Sequence, residues 1–266
     1  MAPETPPPCS ETPILAADNI VKQYPGAAVR ALDGLNLCVA EGEISGLLGP
    51  NGAGKTTAVS IMSTLMAPTA GQLRVLGDNA LEKRSRIRRP IGLAPQEIAL
   101  YEALSARENL SYFGRMYGLK GAALQERVAA CLDAVGLTPQ ADQRVGVFSG
   151  GMKRRANLAA AIVHAPRLLF LDEPTVGVDA QSRALIMDLL TGLKRDGSAM
   201  VYTTHTMEEA EGLWDSVAIM DAGGIIVEGA PARLIAGPPE GGWLGVWGLG
   251  LAGGTLRDWG GAGSRW

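Results

Sequence analysis

Long apolar runs are missing from this 266-residue sequence, in which no uncharged apolar stretch reaches the roughly 18 residues that a membrane-spanning helix needs. Cysteine is scarce: the three residues are far apart and form no C-x-x-C pair, so they indicate neither a disulfide framework nor a zinc site and favour a reducing cytoplasm. Strong charge is also absent, because a formal net charge of −3 provides no overall attraction for nucleic acid. We therefore expect a cytoplasmic protein without a nucleic-acid partner, which reaches a membrane only from outside the bilayer.

Composition divides the chain into three parts. Residues 1–13 are rich in Pro, Thr and Glu and have little to bury, which is typical of a disordered lead-in. Residues 14–236 carry the apolar patterning of one ordered domain. Residues 237–266 form an atypical tail that is rich in Gly, contains four of the five tryptophans and lacks a helix or strand period.

The nine residues GPNGAGKTT at 49–57 contain the phosphate-binding pattern G-x-x-x-x-G-K-[ST]. Its backbone N–H groups can surround a phosphate, while the Lys55 ammonium reaches the terminal phosphates and the Thr56 hydroxyl binds Mg²⁺. Residues 43–48 predict a buried strand before the loop, and residues 57–65 predict a helix after it. The candidate nucleotide-binding residues are Gly49, Pro50, Asn51, Gly52, Ala53, Gly54, Lys55, Thr56 and Thr57.

Short apolar runs that are broken by turn signals predict antiparallel strands between residues 14 and 39, ahead of the phosphate loop. Residues 72–76 and 91–94 predict two further strands. The basic run KRSRIRR at 83–89, which lies between them, is typical of a solvated loop or helix face, with a lipid or partner contact as the less favoured interpretation.

Helical patterns dominate a stretch of about 97–163, where the spacing from Ser105 to Glu108 predicts a capping box. We interpret this stretch as a helical insertion. Alternating strands and helices then return, which predicts an α/β fold with a mainly parallel sheet. The predicted elements are strands at 167–172 and 199–203, helices at 181–195 and 207–213, and a hairpin at 217–221 and 225–227.

Two acidic residues, Asp172 and Glu173, follow the apolar run RLLFL directly. Such a run predicts a central parallel strand, whose carboxyl end faces the binding crevice of an α/β fold. One carboxylate, Asp172, can hold Mg²⁺ through its water shell, and the next, Glu173, can polarise an attacking water. Adjacent residues on an emerging strand face different ways, which suits two roles.

Four segments in this order and spacing resemble the ATP-binding-cassette (ABC) family of transporter ATPases: GPNGAGKTT at 49–57, FSGGMKRR at 148–155, LLFLDEPTVGVD at 168–179 and TTHTMEEAE at 203–211. The resemblance covers about 14–235. It implies a P-loop NTPase fold with a mainly parallel central sheet, an N-terminal antiparallel β subdomain and a helical insertion. It also implies that the chain binds ATP with Mg²⁺ and hydrolyses it.

The same resemblance implies a homodimer of two cassettes packed head to tail. Ser149, Gly150 and Gly151 would contact the ATP that is held by the phosphate loop of the other copy. Physically, a serine hydroxyl, glycine N–H groups and a helix that starts near Met152 would all point positive charge at a phosphate. Asp179 would contact the opposite subunit.

Within one copy, the resemblance implies that Gln96 reaches Mg²⁺ and the water, that His205 contacts the terminal phosphate, and that Tyr24 stacks on adenine. The competing interpretations are a loop amide for Gln96 and a tyrosine that packs a strand edge for Tyr24. The other histidine, His164, is interpreted as structural. The candidate metal ligands are Thr56, Gln96 and Asp172, partly through water.

Two positions depart from the common family pattern: Met152 stands where many members have Gln, and Val178 stands where Leu is common. This form resembles bacterial cassettes that pair with separately encoded membrane subunits to export drugs, antibiotics or oligosaccharide signals, at the cytoplasmic face of the plasma membrane. Two alternatives remain open. One is a soluble ATPase of the same family that acts on DNA or ribosomes, and the other is a truncated cassette that binds ATP without turnover.

Overall fold

Ten strands and seven helices make up the computed structural model, which describes residues 13–206 and 212–236. The strands are β1 (Leu15–Lys22), β2 (Leu32–Val39), β3 (Ile44–Leu48), β4 (Ala70–Val75), β5 (Asp78–Asn79), β6 (Ile91–Ala94), β7 (Leu168–Asp172), β8 (Ala199–Thr204), β9 (Ser216–Asp221) and β10 (Gly224–Gly229). The helices are α1 (Lys55–Met62), α2 (Arg84–Ile87), α3 (Ala106–Met116), α4 (Gly121–Ala134), α5 (Gly150–Ile162), α6 (Ala180–Arg195) and α7 (Pro231–Ala236).

The central sheet has six strands in the order β10-β9-β3-β8-β7-β6. All neighbouring pairs are parallel except β9 and β10, which form the predicted closing hairpin. Strands β3 and β7 are buried along their whole length, as expected for parallel strands that are covered on both faces. A second, antiparallel sheet has the order β2-β1-β4-β5. These two sheets confirm the predicted α/β class.

Two hydrophobic clusters lie on the two faces of the central sheet. Leu169 and Leu171 of β7 belong to the cluster that includes α3, α4 and α5, whereas Leu168 and Phe170 belong to the cluster that includes α1 and the antiparallel sheet. The division follows from the strand geometry, because successive side chains point to opposite faces. The central sheet is therefore packed between a helical layer and a second layer that contains α1 and the other sheet.

Two helices begin earlier than the sequence indicated. Helix α1 covers Lys55–Met62 instead of 57–65, because Gly54 adopts a left-handed conformation and is the N-cap. Helix α5 begins at Gly150 instead of near Met152, because the Ser149 side chain accepts a hydrogen bond from the Met152 N–H and caps the helix. The predicted capping box at Ser105 is confirmed.

Some predictions fall outside the described residues. Residues 1–12 of the lead-in predicted at 1–13 lie there, and so does the tail at 237–266. Most of the helix predicted at 207–213 also lies there, and its residues 212 and 213 form a turn. The basic run at 83–89 includes helix α2 and is mostly exposed, in agreement with the favoured interpretation. Among the described helices, none combines the length and hydropathy needed to cross a bilayer.

The cysteines differ from the expectation. Cys131 is a free thiol in the core, where burial raises its pKa, but Cys38 is disulfide-bonded. The number and spacing of the cysteines did not indicate this bond.

Candidate functional site

The candidate site lies at the carboxyl ends of four neighbouring strands. The phosphate loop follows β3, His205 follows β8, Glu173 follows β7, and Gln96 follows β6 with one residue between. Because β3, β8, β7 and β6 are adjacent and parallel, these four segments emerge at the same edge of the sheet. The strand order therefore brings the phosphate loop and the three predicted catalytic residues together.

Two glycines of the phosphate loop are required by close contacts. A Cβ atom on Gly49 would lie 2.3 Å from the Met220 carbonyl oxygen, and one on Gly54 would lie 2.6 Å from the Ala31 carbonyl oxygen. Gly54 also has a φ of 105°, which side chains rarely adopt. No side chain caps the start of α1, so the N–H groups of its first turn remain available to an anion.

The Lys55 side chain is buried at the base of the loop. Its ammonium donates to the Gly49 carbonyl at 2.8 Å and to the Pro50 carbonyl at 3.2 Å, and it lies 3.5 Å from Glu173 Oε1. A buried cation needs such partners, because desolvation of an unpaired charge is costly. The lysine is therefore held between the loop and the predicted catalytic carboxylate.

Glu173 lies at the centre of the site. Its Oε2 accepts a hydrogen bond from Gln96 Nε2 at 3.2 Å, and its Oε1 lies 3.5 Å from both Lys55 Nζ and His205 Nδ1. The Glu173 side chain is 7% exposed, whereas that of His205 is 44% exposed. One buried carboxylate thus contacts three of the residues that the sequence singled out.

Thr203 belongs to the site and was missed by the sequence reasoning. Its hydroxyl donates to Asp172 Oδ1 at 2.6 Å and accepts a hydrogen bond from the Glu173 N–H at 3.0 Å. The parallel register of β7 and β8 places Thr203 beside Asp172. The feature of the sequence that could have identified Thr203 is its position at the end of a predicted strand, two residues before His205.

The alternation of side chains along a strand does not extend to Glu173, because this residue lies beyond the end of β7. Strand β7 ends at Asp172, and Glu173 has a φ of 50°, which lies outside the strand region. The left-handed conformation of Glu173 sets the direction of its side chain instead. For a residue other than glycine this conformation costs about 1–3 kcal/mol, and such strain is common at functional sites.

Tyr24 lies next to the phosphate loop. It follows the end of β1, is 39% exposed, and its hydroxyl lies 3.3 Å from Thr57 Oγ1. It is not part of a strand, which argues against the edge-packing alternative. The exposed ring is compatible with stacking on a base.

The signature residues form a separate group, in which Ser149 and Gly150 are exposed and Gly151 is buried. Ser149 caps α5, and a Cβ atom on Gly150 would meet nothing within 4 Å. A Cβ atom on Gly151 would lie 2.4 Å from Ser182 Oγ and 2.6 Å from Asp179 Oδ2. Within residues 13–206 and 212–236, no hydrogen bond or ion pair joins 149–151 to the phosphate loop.

Asp179 caps helix α6. Its carboxylate accepts hydrogen bonds from the Ser182 N–H at 2.8 Å and from the Ser182 hydroxyl at 2.9 Å. These hydrogen bonds stabilise the charged form and hold the pKa of Asp179 below its usual value. The Asp179 side chain therefore caps α6 and occupies the space into which a side chain at position 151 would point.

His164 lies away from these residues. Its Nε2 is 2.9 Å from the Ile91 carbonyl oxygen, and its ring stacks on Tyr117 at 3.5 Å. Burial lowers the pKa of His164, which favours the neutral ring. These contacts agree with a structural role.

The oxygen ligands at the site fit Mg²⁺, which prefers oxygen and keeps several waters. Thr56 is exposed at the start of α1, and Asp172 is 3% exposed at the end of β7. In the described part of the chain, no group of three or more His, Cys, Asp or Glu could hold a metal.

Comparison with known proteins identifies the family. The model of the ABC transporter family matches residues 32–176. The linearmycin resistance ATP-binding protein of Bacillus subtilis (strain 168) is 43% identical over 221 residues, which cover 83% of this chain and 70% of that protein. The Nod factor export ATP-binding protein I of Paraburkholderia xenovorans (strain LB400) is 44% identical over 220 residues, which cover 82% of this chain and 71% of that protein.

Solved structures agree. An ATP-binding subunit of an ABC transporter superposes with a TM-score of 0.76 at 26% identity, covering 92% of this chain and 97% of that one. A dimeric ATP-binding cassette in a post-hydrolysis state, bound to ADP and Pi, gives a TM-score of 0.74 at 28% identity. The superposition covers 82% of this chain and 98% of that one. The chain therefore belongs to the ABC transporter family and is an ATP-binding subunit that hydrolyses ATP.

Proposed function

We propose that this chain hydrolyses ATP as a homodimer, in which each ATP lies between residues 49–57 of one copy and residues 149–151 of the other. The homodimer powers export of a drug or an antibiotic through separate membrane subunits. The observation that carries this proposal is the set of contacts around Glu173, which joins the phosphate-loop lysine, Gln96 and His205 in one buried group.

Glu173 is the group that acts on water. Its carboxylate accepts a proton or a hydrogen bond from the attacking water, whose oxygen forms a bond to the γ-phosphorus while the bond to the bridging oxygen breaks. The products are ADP and phosphate. Gln96 and His205 contact the same carboxylate and orient the water beside it.

The negative charge of ATP is balanced by three features of the chain. Lys55 exchanges its contacts with the loop carbonyls for contacts with the terminal phosphates, and the free N–H groups at the start of α1 bind the phosphates. Thr56, together with Asp172 and Gln96 partly through water, would hold Mg²⁺, whose positive charge would offset that of the phosphate oxygens. Tyr24 stacks on adenine.

A second copy completes the site. The N-terminus of α5 carries partial positive charge, and Gly150 and Ser149 expose it to solvent. A phosphate that is bound by another copy can approach this end closely because Gly150 has no side chain. Asp179 contacts the opposite copy. The dimeric state of a similar solved cassette supports this arrangement.

The names of the relatives support an export role. They describe resistance to linearmycin and export of Nod factors, and another relative is the doxorubicin resistance ATP-binding protein of Mycobacterium tuberculosis (strain CDC 1551 / Oshkosh), 41% identical over 220 residues. This chain spans about two thirds of the length of that relative. We place the homodimer on the cytoplasmic face of the plasma membrane, where it is peripheral.

Mixing two inactive variants tests the composite site. Glu173→Gln removes the group that acts on water, and Gly150→Asp places a negative charge where the phosphate of the other copy would bind. A heterodimer of the two variants contains one intact site, so an equal mixture should recover about one quarter of wild-type turnover if copies pair at random and sites are independent. The two variants are mixed in the absence of ATP so that copies can exchange. ATP is then added, and turnover is measured as the rate of phosphate release.

A mixture as inactive as either variant alone would contradict the composite site, provided that both variants are folded and Gly150→Asp still binds a fluorescent ATP analogue. The export role is tested separately by replacing the chain with Glu173→Gln in its host and measuring sensitivity to a panel of antibiotics. Unchanged sensitivity to every compound would argue against drug export.

A further inference from the structure

The loop that carries Gln96 is attached to helix α5 by a buried side chain. Asn157 is 3% exposed, and its Oδ1 accepts a hydrogen bond from the Ala99 N–H at 3.1 Å while its Nδ2 donates to the Pro95 carbonyl at 3.2 Å. One amide thus satisfies backbone groups on both sides of Gln96. Because buried polar groups need their partners, these contacts resist separation of the loop from α5.

Arg154 contacts the same loop from one turn earlier on α5. Its Nη1 donates to the Pro95 carbonyl at 3.4 Å and also to the carbonyl of Gln96 itself. Residues i and i+3 lie on one face of a helix, so Arg154 and Asn157 act on the loop together. We call this pair the loop clamp.

The charge of Arg154 also faces the hydrolysis site. Burial lowers the pKa of Arg154, and the nearby carboxylates of Glu173 and Asp172 raise it in part. The guanidinium is therefore close enough to these carboxylates to interact with them, while its donors are engaged by the loop backbone.

We propose that Arg154 and Asn157 are positioning residues, which hold the backbone of Gln96 on α5 so that its side chain reaches Glu173 in the same copy. This inference rests on the proposed role of Gln96. Helix α5 begins with the residues that would meet the ATP of the other copy. The loop clamp therefore connects this helix to the Gln96 loop, which belongs to the ATP site of the same copy.

Hydrogen exchange of the full-length chain tests the clamp without any need for turnover. In Asn157→Ala the Ala99 amide loses its acceptor, and in Arg154→Met the loop loses two contacts, so exchange in residues 95–101 should become about tenfold faster, as expected for the loss of a hydrogen bond. Unchanged exchange would overturn the proposal.

Arg127→Met is the matched control. Arg127 also donates to two backbone carbonyls of the α5 region, at Val163 (3.1 Å) and Ile162 (3.0 Å), but at the opposite end of the helix. It should leave exchange in residues 95–101 unchanged. Faster exchange there in this variant would mean that any damage to α5 loosens the loop, which would also overturn the clamp.

Turnover separates positioning from general stability. Arg154→Met should lower kcat by roughly tenfold or more with KM for ATP unchanged within about twofold, because small misplacements of a catalytic group reduce rates strongly. In a Gln96→Ala background the same change should cause no further loss. Gln96→Ala keeps the carbonyl that Arg154 contacts, so equal losses in both backgrounds would overturn the proposal.

The failure of this inference can be distinguished from that of the proposed function. If Glu173→Gln turns over ATP as fast as the wild-type chain, the proposed function is wrong, whatever the exchange shows. If Glu173→Gln is inactive but Arg154→Met is not coupled to Gln96, only the clamp is wrong.

Discussion

The two halves of the proposed ATP site differ in how far one chain completes them. Around Glu173, side chains from four segments are in contact, and Lys55, Asp172 and Glu173 are each less than 10% exposed. Ser149 and Gly150 are exposed, Gly151 is buried beside Ser182 and Asp179, and the hydrogen bonds of this group are local to α5 and α6. The chain assembles the hydrolysis half by itself and presents the other half to solvent.

This difference has a physical basis. Lys55 and Glu173 can be buried together because their opposite charges lie 3.5 Å apart, and the Asp172 carboxylate accepts a hydrogen bond from the Thr203 hydroxyl. The exposed half offers a helix terminus and glycines, which attract an anion but contact none within the described part of the chain. In the proposed homodimer, a phosphate that is bound to the other copy would supply the missing charge.

Among the variants that test this difference between the two halves, Glu173→Gln should have the largest effect, which is on turnover. It removes the carboxylate that contacts Lys55, Gln96 and His205, and we expect turnover to fall by roughly 10²–10⁴ while ATP binding is retained. Phosphate release measures turnover and a fluorescent ATP analogue measures binding. The control is Glu126→Gln, at an exposed position on α4. Equal turnover in the two variants would contradict the role assigned to Glu173.

Lys55→Ala should have the next largest effect, on binding. Loss of a charge-assisted contact to the phosphates should weaken ATP affinity by roughly 10- to 100-fold. Titration with the same analogue measures this. Lys194→Ala removes an ammonium that pairs with Asp215 away from the site, and it should leave the affinity unchanged. Wild-type affinity in Lys55→Ala would contradict the assigned role of the loop.

The variants Gly151→Ala and Gly150→Ala compare two adjacent glycines of the signature that differ in their surroundings. The new methyl group at 151 would meet Ser182 and Asp179, so we expect a loss of about 1–3 kcal/mol in the free energy of unfolding. At 150 the methyl group meets nothing, and stability should be unchanged or slightly higher. Chemical denaturation measures both, and equal losses would contradict this distinction.

Asp179 should give the smallest effect, on the pH dependence of stability. Hydrogen bonds from Ser182 lower its pKa in the folded chain below the unfolded value of 3.8, so the unfolded state binds the proton more readily. Its contribution is present above the unfolded pKa and is lost as pH falls through the folded pKa. Asp179→Asn should therefore lose less stability than the wild-type chain between about pH 5 and pH 3. Identical pH profiles would contradict this assignment.

Local sequence was sufficient for the residues whose roles depend on their immediate neighbours. The phosphate loop, the acidic pair and the cap at Ser105 are contiguous patterns, and each could be predicted from its own segment. Thr203 was missed because its role depends on the register between β7 and β8. The clamp was missed because Arg154 and Asn157 reach a loop about sixty residues earlier in the chain.

The sequence by itself determined the chemistry of the site, because the residue types and spacing of a phosphate loop and two adjacent carboxylates restrict what the chain can bind. Only the tertiary structure decided which side chains contact Glu173. Parallel strand order brings Gln96 and His205 to one edge, and the left-handed conformation of Glu173 turns its carboxylate towards them. These are consequences of packing between distant segments, which no local pattern encodes.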